Sequence, residues 1–554
     1  MIGLNKIGLN QVQLNRLHLN APFPAYGKMA DGSGSGDGFP QLPGDVTRWH
    51  FGGLTNEMMA AMDDPRIEDA DHKGRFLSFK NFAWKGMSGV GGYGDENYQT
   101  FYKFTLDDYV FIASPPGVKH MNFTFRVTGL QPGNKLTLAF FGTTNTVYGI
   151  WDKDGIYTVD ADIVEAGKPT YFYNGYGATR GEFTIEILPL YPGALVFDGV
   201  DDYGVCENFP ILTKEKGYTV VALRQWISMG EGISGLVSNV KNWFNDGAFV
   251  LEYNSNNATN KFVNRPVSFG NVNIEMDLPN NFTYQTSKSY KGVPITTGYF
   301  KGTNSLFVGK LNNIIGNCSN VAIWELVFLD HDATEEELTK IKDYFVKTYP
   351  WLFPDQAWTV TGKTNEDEDR ATIANITGNG NDLVLSNFGF AEGSGYNEEG
   401  EYAGYLVTDG VDDRVVSSLF TLNKDWTIVG NWKMLQPEAN KSAGIVKQNS
   451  LFIYNHVDGL SISINAAYSS FKLKDIRSVN AICSDGRIYL NDWTEIIDSK
   501  QQTVNESVGT LVIGILGNVY TSLAFKNLGF YNNQNLSKDD CIKAYNYLQS
   551  LKAK

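Results

Sequence analysis

Leu195-Val-Phe-Asp-Gly-Val-Asp-Asp-Tyr203 and Leu406-Val-Thr-Asp-Gly-Val-Asp-Asp-Arg414 spell one pattern twice in a single chain. Each is a short extended run that ends on Asp-Gly, the pair that supplies tight hairpin geometry. Three further echoes follow in the same order. Gly217-Tyr-Thr-Val-Val221 matches Asp425-Trp-Thr-Ile-Val429, and Ser305-Leu-Phe-Val-Gly309 matches Thr510-Leu-Val-Ile-Gly514. Val321-Ala-Ile-Trp-Glu-Leu-Val-Phe328 matches Leu523-Ala-Phe-Lys-Asn-Leu-Gly-Phe530. Four matches in order at nearly constant separation mark a duplicated module. Each copy closes on a helix signal, Thr334-Glu-Glu-Glu337 ahead of Leu338, Ile341 and Tyr344, and Ser537-Lys-Asp-Asp540 ahead of Ile542, Tyr545 and Leu548. A Ser or Thr three residues before an acid satisfies the free amides of a helix start.

Upstream of each copy lies a second echo. Ile67, Gly74, Leu77, Asn81 and Phe82 fall on Ile373, Gly380, Leu383, Asn387 and Phe388, and both leaders run into Gly/Tyr-rich turns at Ser88–Tyr93 and Gly393–Tyr396. Asn81 and Asn387 are 306 residues apart, whereas Asp198 and Asp409 are 211 apart. The first copy therefore carries about 95 additional residues, enough for a small domain. Runs at 101–106, 121–127, 135–141 and 181–187 alternate apolar with polar residues, with a Gln131-Pro-Gly-Asn134 turn between two of them. This pattern predicts a small inserted β-sandwich over 98–192.

The amino terminus repeats with period five. Aliphatics stand at Ile2, Ile7, Val12 and Leu17, leucines at Leu4, Leu9, Leu14 and Leu19, and asparagines close each unit. Period five fits neither a helix nor a simple strand, and twenty residues cannot bury their own apolar edge. The eight aliphatic positions are expected to form an assembly or anchor tail; a strand pair tucked onto the first domain is the alternative. Asp31-Gly-Ser-Gly-Ser-Gly-Asp-Gly38 behind it reads as a flexible linker.

The Asp-Gly turn, a hairpin at Arg487-Ile-Tyr-Leu-Asn-Asp492, the Leu-x-x-Gly strand and the terminal strand-plus-helix resemble laminin-G-type, concanavalin A-like domains over roughly 195–350 and 403–554. The first copy departs at Lys291-Gly-Val-Pro294. The resemblance implies jelly-roll sandwiches from a family that often binds glycans or proteins. The pentad repeat and the Thr377-Gly-Asn-Gly-Asn-Asp-Leu-Val-Leu-Ser-Asn-Phe388 leader resemble structural proteins of tailed phages of Bacteroides-type gut bacteria, the crAss-like group included. That resemblance implies a trimeric fibre.

Composition is compatible with this reading. The 554 residues suggest roughly three to five domains. Many aromatics (34 Phe, 29 Tyr) and 57 Gly against 18 Pro favour short strands and tight turns over helix bundles. A net charge of −15 argues against nucleic acid or an anionic membrane as the main partner. No apolar run approaches the ~18 residues of a membrane span, and no secretory signal is expected at the start. The four scattered cysteines are expected to be reduced, although two could pair if the fold brings them together.

No catalytic site is expected. Ile274-Glu-Met-Asp-Leu-Pro279 has two acids of a glycosidase-like strand but no third in register. The six histidines occur singly, without metal spacing. The Asp198–Asp202 and Asp409–Asp413 clusters read as tight turns, with calcium the alternative, and Glu366–Arg370 as a solvated loop. Trp226, Trp324 and Trp426 are expected in cores. Trp151, Tyr171, Tyr173 and Tyr176 are the candidate ligand-binding residues, able to stack on sugar rings if they do not simply pack.

The sequence thus predicts an all-β, multidomain chain: an assembly tail over 1–30, a linker over 31–44, a leader over 45–97, the insert over 98–192, a first sandwich over 193–352, a second leader over 353–402 and a second sandwich over 403–554. The expected function is that of a virion structural protein, a head or tail fibre anchored on capsid or tail proteins through its amino terminus, a homotrimer displaying lectin-like domains, with no cofactor, metal, nucleic acid or membrane. A bacterial surface carbohydrate-binding protein is the alternative, with a polysaccharide depolymerase behind it.

Overall fold

The computed structural model describes residues 38–93, 101–104, 109–112, 120–140, 146–162, 170–175, 180–228, 233–241, 247–254, 261–264, 272–275, 282–290, 293–294, 303–312, 318–399, 402–436, 443–448, 451–456, 459–464, 470–474, 476, 478–497, 507–516 and 519–553. The pentad positions Ile2, Leu4, Ile7, Leu9, Val12, Leu14, Leu17 and Leu19, and Tyr176, lie outside the described residues. The chain is all-β and multidomain. Among the described residues the helices are Asn56–Ala60 (α1), Glu335–Thr348 (α2) and Lys538–Ser550 (α3), with one short 3-10 turn at Pro350–Leu352.

Each copy of the repeat is a pair of eight-stranded antiparallel sheets with one topology. In the first copy the strand Asn320–Leu329 pairs along its length with Thr219–Ser228; its other edge is shared by Leu195–Asp198 and Val46–His50. In the second, Ser522–Asn532 pairs with Trp426–Gln436 and shares its other edge between Tyr405–Asp409 and Gln356–Thr359. The leaders belong to these sheets. Arg66–Glu68 and Phe76–Lys80 close the facing sheet of copy one, as Thr372–Ile373 and Leu383–Ser386 do in copy two. The loose match at Lys291–Pro294 falls at an equivalent place: Ser289–Tyr290 and Val293–Pro294 extend their sheet where Arg487–Leu490 and Glu495–Ile497 extend theirs.

The central strands read as unbroken apolar runs because both of their faces are buried. Val321, Ile323, Leu326 and Phe328 enter the core between the two sheets of copy one. Ala322, Trp324, Val327 and Leu329 enter a separate apolar layer behind the sheet. The inward set changes parity between Ile323 and Leu326 because the ladder slips by one residue there, a β-bulge. Copy two repeats the device: Leu523, Phe525, Leu528 and Phe530 face its core across a slip between Asn527 and Phe525.

The layer behind the sheets holds the molecule together. It contains Ile341, Tyr344 and Phe345 of α2 and Ile542, Tyr545 and Leu548 of α3, together with Trp351 and Trp493. Thr334 and Glu337 form a full capping box at the start of α2, and Ser537 caps α3 through the Asp540 amide at 3.1 Å. Under α2 a buried ion pair, Arg48 to Glu325 at 2.6 Å, joins two neighbouring strands of the sheet and presents polar partners to the helix. Tyr344 accepts from Arg48 at 3.1 Å, and Tyr349 donates to Glu325 at 3.2 Å. Copy two has Ala357 and Asn527 at the corresponding register positions.

The 98–192 region emerges between Gly89–Val90 and Leu195–Asp198, two strands that pair with each other. The corresponding strands of copy two, Gly395–Asn397 and Tyr405–Asp409, are joined by residues 398–404 alone. The extra chain forms two four-stranded sheets. One holds Phe101–Phe104, His120–Thr128, Gly155–Asp162 and Phe183–Leu188; the other holds Tyr109–Ile112, Leu136–Phe140, Thr146–Trp151 and Thr170–Asn174. Between them lies a core of Phe123, Phe125, Leu138, Phe172 and Ile185. This unit docks on copy two as well as emerging from copy one. Thr124 donates to Asn546 of α3 at 3.0 Å, Lys153 pairs with Asp492, and Ile156 enters the shared apolar layer.

Candidate functional site

The Asp-Gly turns are built identically in both copies. Gly199 and Gly410 take positive φ (+81° and +76°), which a residue with a Cβ resists. The buried Asp202 carboxylate accepts from the Asp198 amide at 3.1 Å and from Ser88 Oγ at 3.0 Å. Asp413 accepts from the Asp409 amide at 2.8 Å and from Ser394 Oγ at 3.0 Å. Asn81 and Asn387, both in the left-handed region, each donate at 3.0 Å to the carbonyl of the penultimate Asp, Asp201 and Asp412. This explains the echo in the leaders: Asn81 and Ser88, like Asn387 and Ser394, clasp the turn that begins the module. Burial pushes Asp202 up to about 7 and Asp413 to about 6. Three carboxylates approach one another in each turn. Their hydrogen bonds are those of a clasp, repeated wherever the scaffold is repeated, and that supports the turn reading over calcium.

The remaining single-residue expectations resolve into packing. Trp226, Trp324 and Trp426 are buried, and the Trp324 indole donates to the Pro192 carbonyl at 2.8 Å. His331 sits against Glu337 in the α2 cap at 3.1 Å, and His72 against Glu68 at 3.2 Å. All four cysteines are free and buried, and burial raises Cys206 to about 12 and Cys318 to about 11. Cys483 and Cys541 are brought together, their thiols both directed at the Leu536 carbonyl at 3.9 Å. Glu275 ends an outer strand, Val272–Glu275, and Asp277 lies outside the described residues.

The insert, present once, separates the candidate stacking residues. Trp151 faces the sandwich interior, where its ring meets Phe125 edge-on at 4.9 Å and Tyr157 at 5.6 Å. On Thr170–Asn174, Phe172 points into the core, so Tyr171 and Tyr173 project from the opposite face. Their rings lie 5.6 Å apart. Register places Ala139 beside Tyr171 and Thr137 beside Tyr173, then Val147 beyond Ala139 and Ile150 beyond Thr137. Thr137 and Ala139 are fully covered, while Ile150 is 53% and Val147 46% exposed. The result is a face with a small-residue floor walled by two tyrosines on one side and two exposed aliphatics on the other. A phenol presents an apolar ring and a polar tip, a combination suited to the C–H faces and hydroxyls of a sugar ring. Val147 and Ile150, three residues apart, share this face because the ladder slips by one residue between them, a β-bulge that simple alternation does not reveal.

No family model matches this chain, and no curated protein does. Among solved structures it is similar to the botulinum neurotoxin serotype D binding domain, at 9% identity over 62% of this chain and 89% of that chain, with a TM-score of 0.25. It is similar to the serotype D ligand binding domain in complex with N-acetylneuraminic acid, at 10% identity over 62% and 88%, with a TM-score of 0.24. It is similar also to Trypanosoma rangeli sialidase, at 10% identity over 86% and 82%, with a TM-score of 0.27. Likeness this distant assigns neither a ligand nor a reaction. Among the described residues, no helix is long and apolar enough to cross a membrane.

Proposed function

We propose that this chain is a non-catalytic structural appendage of a tailed-phage virion, a head or tail fibre, that binds glycans through the inserted unit. The observation that carries the reading is the Tyr171/Tyr173 face. The scaffold and its Asp-Gly clasps occur twice, as architecture would, whereas this open aromatic face occurs once. Its surround of Val147 and Ile150 leaves apolar side chains at the surface that packing does not require. The amino-terminal pentads support anchoring to other virion proteins and trimerisation, since a repeat with an apolar edge that cannot bury itself gains by association. Three copies would raise a weak single-site affinity by avidity.

A glycan array probed with the full chain tests the reading. Saturable binding is expected, with Tyr171→Ala/Tyr173→Ala weakening it at least tenfold without shifting thermal unfolding. Flat binding across neutral and acidic glycans leaves a purely architectural protein, and release of reducing ends from a capsular polysaccharide overturns the non-catalytic assignment.

A further inference from the structure

Between the two modules lies a cleft of about 490 Å³, within the roughly 300–1,000 Å³ of small-molecule sites. Copy one contributes Phe282 and Lys342 of α2; the connecting segment contributes Phe353 and Asp355; copy two contributes Asn379, Asn533 and Gln534. The chemistry is mixed. Phe282 and Phe353 are both half-buried and offer ring surface at the wall. Asn533 accepts from Asn423 Nδ2 at 3.0 Å through its Oδ1, so its own amide donors stay unspent among the described residues. Asn379 donates to the Asp355 carbonyl at 2.8 Å, which leaves its Oδ1 as an acceptor. The Lys342 ammonium acts electrostatically on Asp355 across the wall, and the Gln534 side chain also borders the cleft.

Two features set this cleft apart from the scaffold. Asn533 holds a left-handed backbone (φ 57°). No residue at the matching turn of copy one, Asp330 to Ala333, takes positive φ, whereas the left-handed Asn81 and Asn387 of the clasps occur in both copies. The amide run Asn532-Asn533-Gln534-Asn535 likewise stands where copy one has Asp330-His331-Asp332-Ala333. Asn532, Asn533 and Gln534 of this run line the cleft. The formal charge of the wall is balanced, one lysine against one aspartate, within a chain of net charge −15 that disfavours anions at long range.

We infer that the inter-module cleft is a second binding site, for a neutral oligosaccharide held between Phe282 and Phe353 and hydrogen-bonded by Asn379, Asn533 and Gln534. Aromatic walls take the C–H faces of the sugar, and amides pair as donor and acceptor with its hydroxyls. The site shares the glycan-binding reading of the chain but not the tyrosine face, and it needs both modules to exist.

The test uses the full chain with neutral oligosaccharides from an array, the strongest one then titrated and its contacts mapped by hydrogen exchange. Asn533→Gly keeps the left-handed backbone, so Asn533→Gly/Gln534→Ala removes amides without disturbing the turn; unchanged thermal unfolding verifies this. The expected result is protection of amides in 353–355, 376–379 and 532–534, and at least tenfold weaker binding by the double variant. Protection confined to 136–151 and 170–175, with loss only in Tyr171→Ala/Tyr173→Ala, overturns the cleft and keeps the tyrosine face. Preference for acidic over neutral glycans at the cleft overturns the ligand class, and no neutral-glycan binding overturns the site.

Discussion

Replacing Asp202 by Asn tests whether the Asp-Gly clasp is architecture. Unfolded, this carboxyl titrates near 3.8; folded, burial outweighs its two hydrogen bonds and raises it to about 7. Well below pH 3.8 both states hold the proton, and at pH 4 the difference between them is still small. Between the two values the folded chain keeps a proton that the unfolded chain releases, so stability falls as pH rises. Above pH 7 the whole penalty applies, about 4 kcal/mol at 1.36 kcal/mol per pH unit. Asn has nearly the same shape. Its Oδ1 accepts from the Asp198 amide, and its NH₂ donates to Ser88 Oγ, a hydroxyl that can accept as well as donate. Asp202→Asn is therefore expected to match the parent at pH 4 and to exceed it at pH 8, where about 4 kcal/mol corresponds to on the order of 10 °C for a unit of this size. Asp202→Ala leaves the Asp198 amide unpartnered and loses roughly 1–3 kcal/mol at pH 4, a loss that at pH 8 is offset because the variant also escapes the ionisation penalty of the parent. Differential scanning calorimetry at pH 4, 6 and 8, with and without millimolar calcium, reads all three. A lower transition for Asp202→Asn at pH 8, with calcium stabilising only the parent, refutes the clasp and restores the metal reading.

Other consequences separate the copies. Gly309→Ala and Gly514→Ala both place a Cβ on a left-handed residue, but at Gly309 it falls onto the Phe197 ring, whereas at Gly514 its nearest neighbour is Thr408 at 3.6 Å. Gly309→Ala should cost the larger share, about 1–3 kcal/mol more by overpacking, and equal shifts in melting temperature contradict the packing described. Trp493, 2% exposed, packs between Tyr489, tilted at 6.1 Å, and Tyr545, edge-on at 5.7 Å, in the shared layer. Trp493→Ala should remove about 3–5 kcal/mol and speed hydrogen exchange in α3 and in the insert strand Gly155–Asp162 together. Faster exchange in α3 alone shows that the insert is not held by this layer. Glu325→Ala leaves buried Arg48 without its carboxylate and should cost about 3–5 kcal/mol; an unchanged unfolding midpoint in denaturant shows the pair to be dispensable.

Much of the architecture was legible because the duplication made it so. Asn81 and Asn387 aligned in sequence because each clasps an Asp carbonyl, and the change of spacing after them located the insert. The parity change at Trp324–Glu325 was not legible: an apolar run buried on both faces carries no alternation from which a bulge could be read. The docking of the insert onto α3 was hidden too, since Thr124, Ile156 and Asn546 are far apart in sequence and unremarkable singly. Trp151 and Tyr171 looked equivalent as aromatics near turns; only their register beside Leu136 and Ala139 sends one inward and the other out. The cleft had no sequence signal beyond its run of amides, because it exists only once two modules face each other.

The assembly claim is tested most directly by the molar mass of the full chain in solution, measured by light scattering beside a chain lacking residues 1–37. The account predicts three copies for the full chain and one for the shortened chain. A full chain that stays monomeric, or a shortened chain that still trimerises, contradicts anchoring and assembly through the pentad repeat.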